Sequence, residues 1–238
     1  MIEKLPEPTW CDEGAKVYLY QGDCLELLPL LPNGCVDTVV TDPPYGLNTK
    51  SDGTGKLNPW ADLCNAALWY RAWLSECRRI ARTTWSCLNW RSLVTFQKVA
   101  CDLSWPIESL LVWDKACIGP GGLRGLRPSY ELVALWCSGG GVIDRGLADV
   151  QQFKWASRKP HGHPAEKPTA LMRWCIKAVG AQSVIDPFMG SGTTGVASIR
   201  QQASFVGIEI DEACFSAAVD RIRNEIIARP LPGMEAML

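Results

Sequence analysis

Asp42-Pro43-Pro44-Tyr45 sets a carboxylate, a stiff turn and a phenol ring at consecutive positions, with Gly46 behind them. They close the β-branched run Val36-Asp37-Thr38-Val39-Val40-Thr41, which reads as a buried strand of a parallel sheet. Two prolines stop that strand at its carboxyl end, where open α/β sheets place their chemistry. A planar base could stack on Tyr45 while its amino group donates to Asp42 and to a carbonyl of the Pro-Pro turn. An ordinary strand-ending turn with a solvated Asp would look the same. The chemical reading therefore requires a second site elsewhere in the chain.

That second site is Asp186-Pro187-Phe188-Met189-Gly190-Ser191-Gly192-Thr193-Thr194-Gly195, preceded by the short strand Ser183-Val184-Ile185 and followed by a helix from about Val196. A strand, a glycine loop and a helix amino terminus bind nucleotide-like ligands, because glycines permit close approach and free amides meet the ligand's polar end. Gly190, Gly192 and Gly195 match Gly-x-Gly-x-x-Gly, a weak signal alone, and no Lys follows as a triphosphate-binding loop needs. The next strand, Ala203 to Ile208, ends at Glu209, a carboxylate placed to accept from ribose hydroxyls.

The elements that must position these groups follow in chain order. Lys16 to Tyr20 alternates as a strand and ends at Gln21-Gly22-Asp23; Asp23 can serve the site, cap the helix Cys24 to Leu31, or do both. Leu47 to Asn58 has no periodicity and reads as a mobile loop beside the site. From Trp60 a helix is expected, with Leu63, Ala67, Tyr70, Leu74, Cys77 and Ala81 on one core-facing side. Thr83 to Trp90, Ser92 to Cys101 and Ile107 to Trp113 read as strand, helix and strand, and this alternation implies a doubly wound parallel sheet. Lys115 to Pro128 breaks the pattern, and Tyr130 to Cys137 then returns as the second strand of an antiparallel edge hairpin. Between Ser138 and Gly162 periodicity is lost. Arg145, Lys154, Arg158 and Lys159 gather there with Phe153 and Trp155, following Arg124 and Arg127. Basic residues among aromatics suit nucleic acid; a solvated loop over a satellite hydrophobic cluster has the same composition. His161, His163 and Glu166 invite a zinc reading, but their spacing gives no helical ligand face and no Cys-x-x-Cys completes a site. Pro168 suits the first position of a helix running to Ala178, with Gly180 as its stop. Asp211 can cap a last helix striped by Phe215, Val219, Ile222 and Ile226.

Composition bounds the rest. The chain has 238 residues, 47% apolar and 21% charged, and a net charge of −1, so any nucleic-acid surface must be a local patch. Eleven cysteines, none in a Cys-x-x-Cys pair, argue for reduced thiols rather than a disulfide framework. No signal peptide and no stretch of membrane-spanning length is visible, so a cytoplasmic location is expected.

Taken together, Gly22-Asp23, Asp42-Pro43-Pro44-Tyr45, His163-Pro164 with Lys167-Pro168, Asp186 to Thr194 and Gly207-Ile208-Glu209 resemble the motifs of S-adenosylmethionine-dependent DNA amino-methyltransferases. Their order, catalytic motif before cofactor motif, is that of the β arrangement, and they span residues 22 to about 211. The resemblance implies one Rossmann-like α/β domain over residues 1–238, a mostly parallel sheet with an antiparallel edge hairpin, and S-adenosyl-L-methionine as cofactor. It implies catalysis by Asp42, Pro43, Pro44 and Tyr45. It assigns the cofactor to Asp23, His163, Lys167, Asp186, Pro187, Phe188, Gly190, Ser191, Gly192, Thr193, Thr194 and Glu209. Within that set, the loop and Glu209 hold methionine and ribose, Asp23 lies near adenine, and Lys167 lies near the cofactor's carboxylate. A short target-recognition segment is expected at residues 138–162, and its shortness speaks against a long recognition sequence. Duplex DNA with a flipped base is the implied partner, met by Arg124, Arg127, Arg145, Lys154, Arg158 and Lys159. A second copy of the chain is a further candidate partner; no membrane or metal is expected.

The implied reaction is methylation of the adenine N6 amino group, since Asp at position 42 is more usual among the adenine enzymes and Ser among the cytosine-N4 ones. Cytosine N4, RNA or a protein glutamine are alternative acceptors. Two other classes remain beside the enzyme. A nicotinamide-dependent oxidoreductase would use Gly190 to Gly195 but leave Asp-Pro-Pro-Tyr without a task. An inactive DNA-binding module would leave both intact motifs without one.

Overall fold

The computed structural model describes residues 5–45, 63–119, 125–155 and 166–228. Gly46, the expected loop from Leu47 to Asn58, Trp60, Arg124, Arg158, Lys159, His161 and His163 lie outside those residues.

Among the described residues nine strands form a single sheet: β1 (Trp10–Asp12), β2 (Val17–Gln21), β3 (Val36–Thr41), β4 (Ala81–Leu88), β5 (Ser109–Asp114), β6 (Tyr130–Cys137), β7 (Val150–Gln152), β8 (Ser183–Asp186) and β9 (Ser204–Glu209). Their spatial order is β1-β2-β9-β8-β3-β4-β6-β5-β7. Strands β2, β9, β8, β3 and β4 are mutually parallel, β6 runs antiparallel to both its neighbours, and β1 is antiparallel at the far edge. The expected antiparallel hairpin is β5–β6; within it β6 is interior, between β4 and β5, and short β7 lies outside β5. Leu132 to Trp136 of β6 are all buried. Such a run requires cover on both faces, which an edge strand open to solvent on one side does not give as fully.

Side chains alternate across the sheet, so each face builds its own core. On one face α2 (Leu63–Ile80) and α3 (Leu93–Asp102) bury Tyr70, Trp73, Leu74 and Phe96 against Val39, Ala134 and Ile208. On the other, α4 (Thr169–Ala178), α5 (Thr193–Arg200) and α6 (Glu212–Ile227) bury Leu171, Val196, Phe215 and Ile222 against Val40, Val133 and Phe205. Helices on both faces of a mostly parallel sheet make the doubly wound arrangement.

Several boundaries move by a few residues. Ala81 begins β4 instead of ending α2, because its pairing with Val36 extends the β3–β4 ladder back to the helix end. Pro168 is the cap residue of α4 rather than its first turn, and α5 begins at Thr193 rather than Val196. At the other end of α4, Gly180 has φ +63°; its N–H donates to Lys177 O and that of Ala181 to Ile176 O, closing the helix in the usual glycine-terminated way. Cys24, Cys77, Cys87 and Cys175 are buried free thiols.

Candidate active site

Strands β8 and β3 are parallel neighbours from which the chain winds in opposite directions, β9 beyond one and β4 beyond the other. This is a topological switch point, where the carboxyl ends of the strands open a crevice. Asp186 leaves β8 there and Thr41-Asp42 leaves β3. The Thr41 hydroxyl donates to Asp186 Oδ1 at 2.6 Å, and the Phe188 N–H donates to the same oxygen at 3.0 Å. Asp186 therefore braces the root of both motifs. Burial pushes its carboxyl up to about 7, against the bonds from Thr194, Thr41 and Phe188 that favour the ionised form. A carboxyl with a raised pKa when folded contributes stability that is complete below its unfolded value near 3.8 and is lost as pH rises through about 7. Asp186→Asn keeps an acceptor and has no such proton to release. It should remove a pH-dependent loss of up to about 4 kcal/mol. Urea midpoints between about pH 4 and pH 7, where the loss accrues, test this; a slope unchanged in the variant would assign the dependence to other groups.

Asp42 is held from two sides. Tyr45 Oη donates to its Oδ1 at 2.6 Å, and Lys167 Nζ donates to its Oδ2 at 2.6 Å. The ammonium also lies 5.3 Å from the centroid of the Tyr45 ring. Lys167 is buried, yet Asp42 and Glu131 push its pKa above the ordinary lysine value, outweighing desolvation. Glu131 Oε2 is 3.3 Å from Lys167 Nζ, and Glu131 Oε1 is 2.6 Å from Lys115 Nζ. Burial raises the Glu131 carboxyl and the two ammoniums lower it, with the net direction downward. Two carboxylates and two ammoniums thus form one compact chain behind the Asp-Pro-Pro-Tyr turn. The turn is braced from α2, where Tyr70 Oη donates to Pro44 O at 3.2 Å. That carbonyl keeps a second lone pair.

The crevice has two lobes separated by Phe188. One, of about 100 Å³, is bounded by Gly22, Asp23, Trp69, Pro187 and Glu209. The other, of about 80 Å³, is bounded by Asp42, Glu166, Lys167, Gly190 and Thr193. Asp23 Oδ1 accepts from Leu25 N, so it caps α1 (Cys24–Leu27) while lining the first lobe. Glu209 Oε2 accepts from Gly190 N at 2.8 Å and its Oε1 from Asp211 N at 2.9 Å, which ties the glycine loop to the end of β9. Asp211 in turn caps α6 through Cys214 N. Gly190 has φ +51° and open space where a Cβ would stand, as close approach of a ligand requires. Gly195 serves packing instead: a Cβ would lie 2.4 Å from Ile222 Cδ1 and 2.9 Å from the Phe205 ring. Arg221 reaches over from α6, paired with Glu166 Oε1 at 2.7 Å and donating to Thr193 Oγ1 at 3.0 Å, while Glu166 Oε2 is buried without a hydrogen bond.

Among the described residues, Arg127, Arg145 and Lys154 do not form one patch. Arg127 and Lys154 are exposed near the carboxyl end of β5; Arg127 Nε donates to Gly119 O, and the neighbouring Phe153 N–H donates to Asp114 O. Arg145 lies at the opposite end of the sheet. It sits two residues beyond Ile143, whose N–H donates to Ala178 O at the close of α4. A cavity of about 260 Å³ is also at that end, between Asp37, Arg82, Gly140 and Gly180. Asp37 is already committed there to Gln182 N, Ser183 N and Ser183 Oγ. Phe153 and Trp155 pack on the core, and Lys115 Nζ lies 6.0 Å from the Trp155 ring centroid, so these rings act as cover over buried side chains. Among the described residues no cluster of His, Cys, Asp and Glu could hold a metal ion, and no helix is long and apolar enough to cross a membrane.

Sequence reasoning gave no site role to Tyr70, Lys115, Glu131 or Arg221 and weighed Glu166 only as a metal ligand. A Tyr on a helical apolar stripe reads as core, and a charge on a loop, strand or helix shows no partner until the fold supplies one.

A doubly wound sheet with a glycine loop and a strand-ending carboxylate facing one crevice at its switch point defines an α/β enzyme with a nucleotide-type ligand site. A family model described as DNA methylase, of the N6/N4 type, matches residues 36–220. The chain belongs to this family, the DNA amino-methyltransferases that act on adenine N6 or cytosine N4. Among curated proteins it is 25% identical to the type II methyltransferase M.HinfI of Haemophilus influenzae, covering 87% of this chain and 68% of that protein. Among solved structures it resembles the M1.HpyAVI–SAM complex, with a TM-score of 0.67, 20% identity, and 87% of this chain and 98% of that one covered. It also resembles the cytosine-N4-specific PvuII DNA methyltransferase, with a TM-score of 0.69, 16% identity and 94% of each chain covered. These structural likenesses bear on the fold.

Proposed function

We propose that the protein transfers a methyl group from S-adenosyl-L-methionine to the N6 amino group of adenine in duplex DNA. The observation that carries this reading is the Asp42 carboxylate, held at the switch point between the Pro44 carbonyl pinned by Tyr70 and the lobe lined by Gly190 and Thr193. The two-lobed crevice suits the cofactor. Its first lobe offers Asp23, Trp69 and both partly used oxygens of Glu209 to an adenosine. Its second offers Lys167, the glycine loop and an unbonded oxygen of Glu166 to an amino-acid end. When bound, the cofactor supplies an electrophilic methyl group on a sulfonium sulfur, which the acceptor nitrogen takes in line.

An exocyclic amino group is a poor nucleophile because its lone pair is delocalised into the ring. Donation of its two N–H groups to Asp42 and to a prolyl carbonyl draws the nitrogen towards tetrahedral geometry and frees that lone pair. Asp42 then stabilises the positive charge that develops there. Most of the rate comes from alignment, which the proline turn and its Tyr70 brace maintain. The base must leave the duplex to reach Asp42, and the Tyr45 ring offers it a stacking surface. Arg127 and Lys154, with Arg124, Arg158 and Lys159, are assigned to DNA phosphates; Arg145, at the other end of the sheet, is left out of that surface.

Adenine is preferred on Asp at position 42; cytosine N4 is the second reading, supported by the likeness to the PvuII enzyme. Incubation with unmethylated genomic DNA and methyl-labelled cofactor, followed by nucleoside separation, should show label in N6-methyladenine. Label in N4-methylcytosine alone would replace the adenine reading, and no label in either would remove the DNA reading.

A further inference from the structure

Both oxygens of Asp42 are occupied as the site stands, Oδ1 by the Tyr45 hydroxyl and Oδ2 by the Lys167 ammonium. An incoming amino group must displace one of them. The ammonium is the obstacle of greater consequence. A cation on Asp42 opposes the positive charge that Asp42 is there to stabilise, and Lys167 is too deeply buried to take its charge into water. Besides the cofactor's amino-acid end in the second lobe, it therefore needs an anionic partner that the protein itself holds within reach. Glu131 Oε2 is buried and already ion-paired with Lys167 Nζ at 3.3 Å, a looser contact than the 2.6 Å bond from Lys115 that secures the other oxygen of the same carboxylate. That loose pairing leaves Oε2 able to take the ammonium more closely.

We propose that Glu131 is a positioning residue that receives the Lys167 ammonium when a target amino group enters, freeing Asp42 to accept from it. The inference rests on the reading of Asp42 as that acceptor. Lys167 then travels less than the width of one side chain, from one carboxylate to the other, and no proton is transferred. Lys115 keeps Glu131 fixed and ionised. Lys115 Nζ also lies 5.3 Å from the Trp113 ring centroid, and Trp113 Nε1 donates to Phe153 O at 2.7 Å. The receiving carboxylate is thereby anchored to the strand end that carries Phe153, Lys154 and Trp155.

Glu131→Gln keeps the shape and removes the charge that attracts Lys167. The rate of methyl transfer to unmethylated genomic DNA at saturating cofactor should fall by about tenfold or more. Cofactor affinity by calorimetry should stay within about twofold. Adding Lys167→Met to Glu131→Gln removes the cation trapped on Asp42; because Lys167 also lines the cofactor lobe, the double variant is compared at a cofactor concentration that saturates it, where it should be faster than Glu131→Gln alone. A purely structural Glu131 would give no such recovery. If Glu131→Gln fails to fold because Lys115 is left unpaired, the comparison runs in Lys115→Met, where the charge stays balanced. A wild-type rate in Glu131→Gln, or a double variant no faster than the single one, would overturn the proposal. Asp42→Ala is measured alongside: if it still transfers methyl, the acceptor reading itself fails. If it is inactive while Glu131→Gln is unimpaired, only the role of Glu131 does.

Discussion

Asp42→Ala should lower methyl transfer by about a hundredfold to a thousandfold while leaving S-adenosylmethionine affinity nearly unchanged. The carboxylate sits at the boundary of the second lobe, and its bonds in the structure go to Tyr45 and Lys167, not to the glycine loop. Its removal deprives the acceptor nitrogen of the group that localises its lone pair and stabilises its developing charge. The glycine loop remains braced by Asp186 and Glu209. Lys167 retains Glu131 as an anionic neighbour, so no buried charge is orphaned and the fold should survive. Calorimetry with the cofactor and single-turnover transfer of labelled methyl measure the two effects separately. Loss of cofactor binding in a variant with an unchanged unfolding midpoint would refute this division of labour.

Glu209→Ala should produce the opposite pattern, with cofactor affinity weakened by about a hundredfold, or about 2.7 kcal/mol. Two causes add. The carboxylate loses whatever ribose hydroxyls it would accept, and it also releases the amides of Gly190 and Asp211 that it now holds. Gly190, with φ +51°, depends on such a bond to keep its amide where the loop needs it. Glu209→Gln keeps one acceptor oxygen for one of those amides and should fall between wild type and Ala. With cofactor raised to saturation, the transfer rate of Glu209→Ala should return to within about tenfold of wild type, because Asp42 and its neighbours are untouched. A rate that stays far lower at saturation would assign Glu209 to the chemistry rather than to the cofactor.

What the amino-acid order determined by itself was local. Val36 to Thr41 is a strand because it is β-branched, and Pro43 and Pro44 end it, so Asp42 had to emerge at a strand's carboxyl end. Asp23 and Asp211 were legible as helix caps because a cap bonds within three residues of itself. The glycine loop after Ser183–Asp186 was legible for the same reason, a strand, a tight turn and a helix start being consecutive in the chain. Tertiary structure alone decided which of these ends would meet. Asp42 and Lys167 are 125 residues apart, and Thr41 and Asp186 are 145 apart, and neither pair leaves a periodic signature. The interior place of β6 was decided by burial on both faces, which put Glu131 beside Lys167 and Lys115. The same winding carried Arg145 to the far end of the sheet while leaving Lys154, nine positions later, beside the carboxyl end of β5. Charges scattered along a chain acquire partners only when strand order brings their backbones together, and strand order is set by the whole core at once.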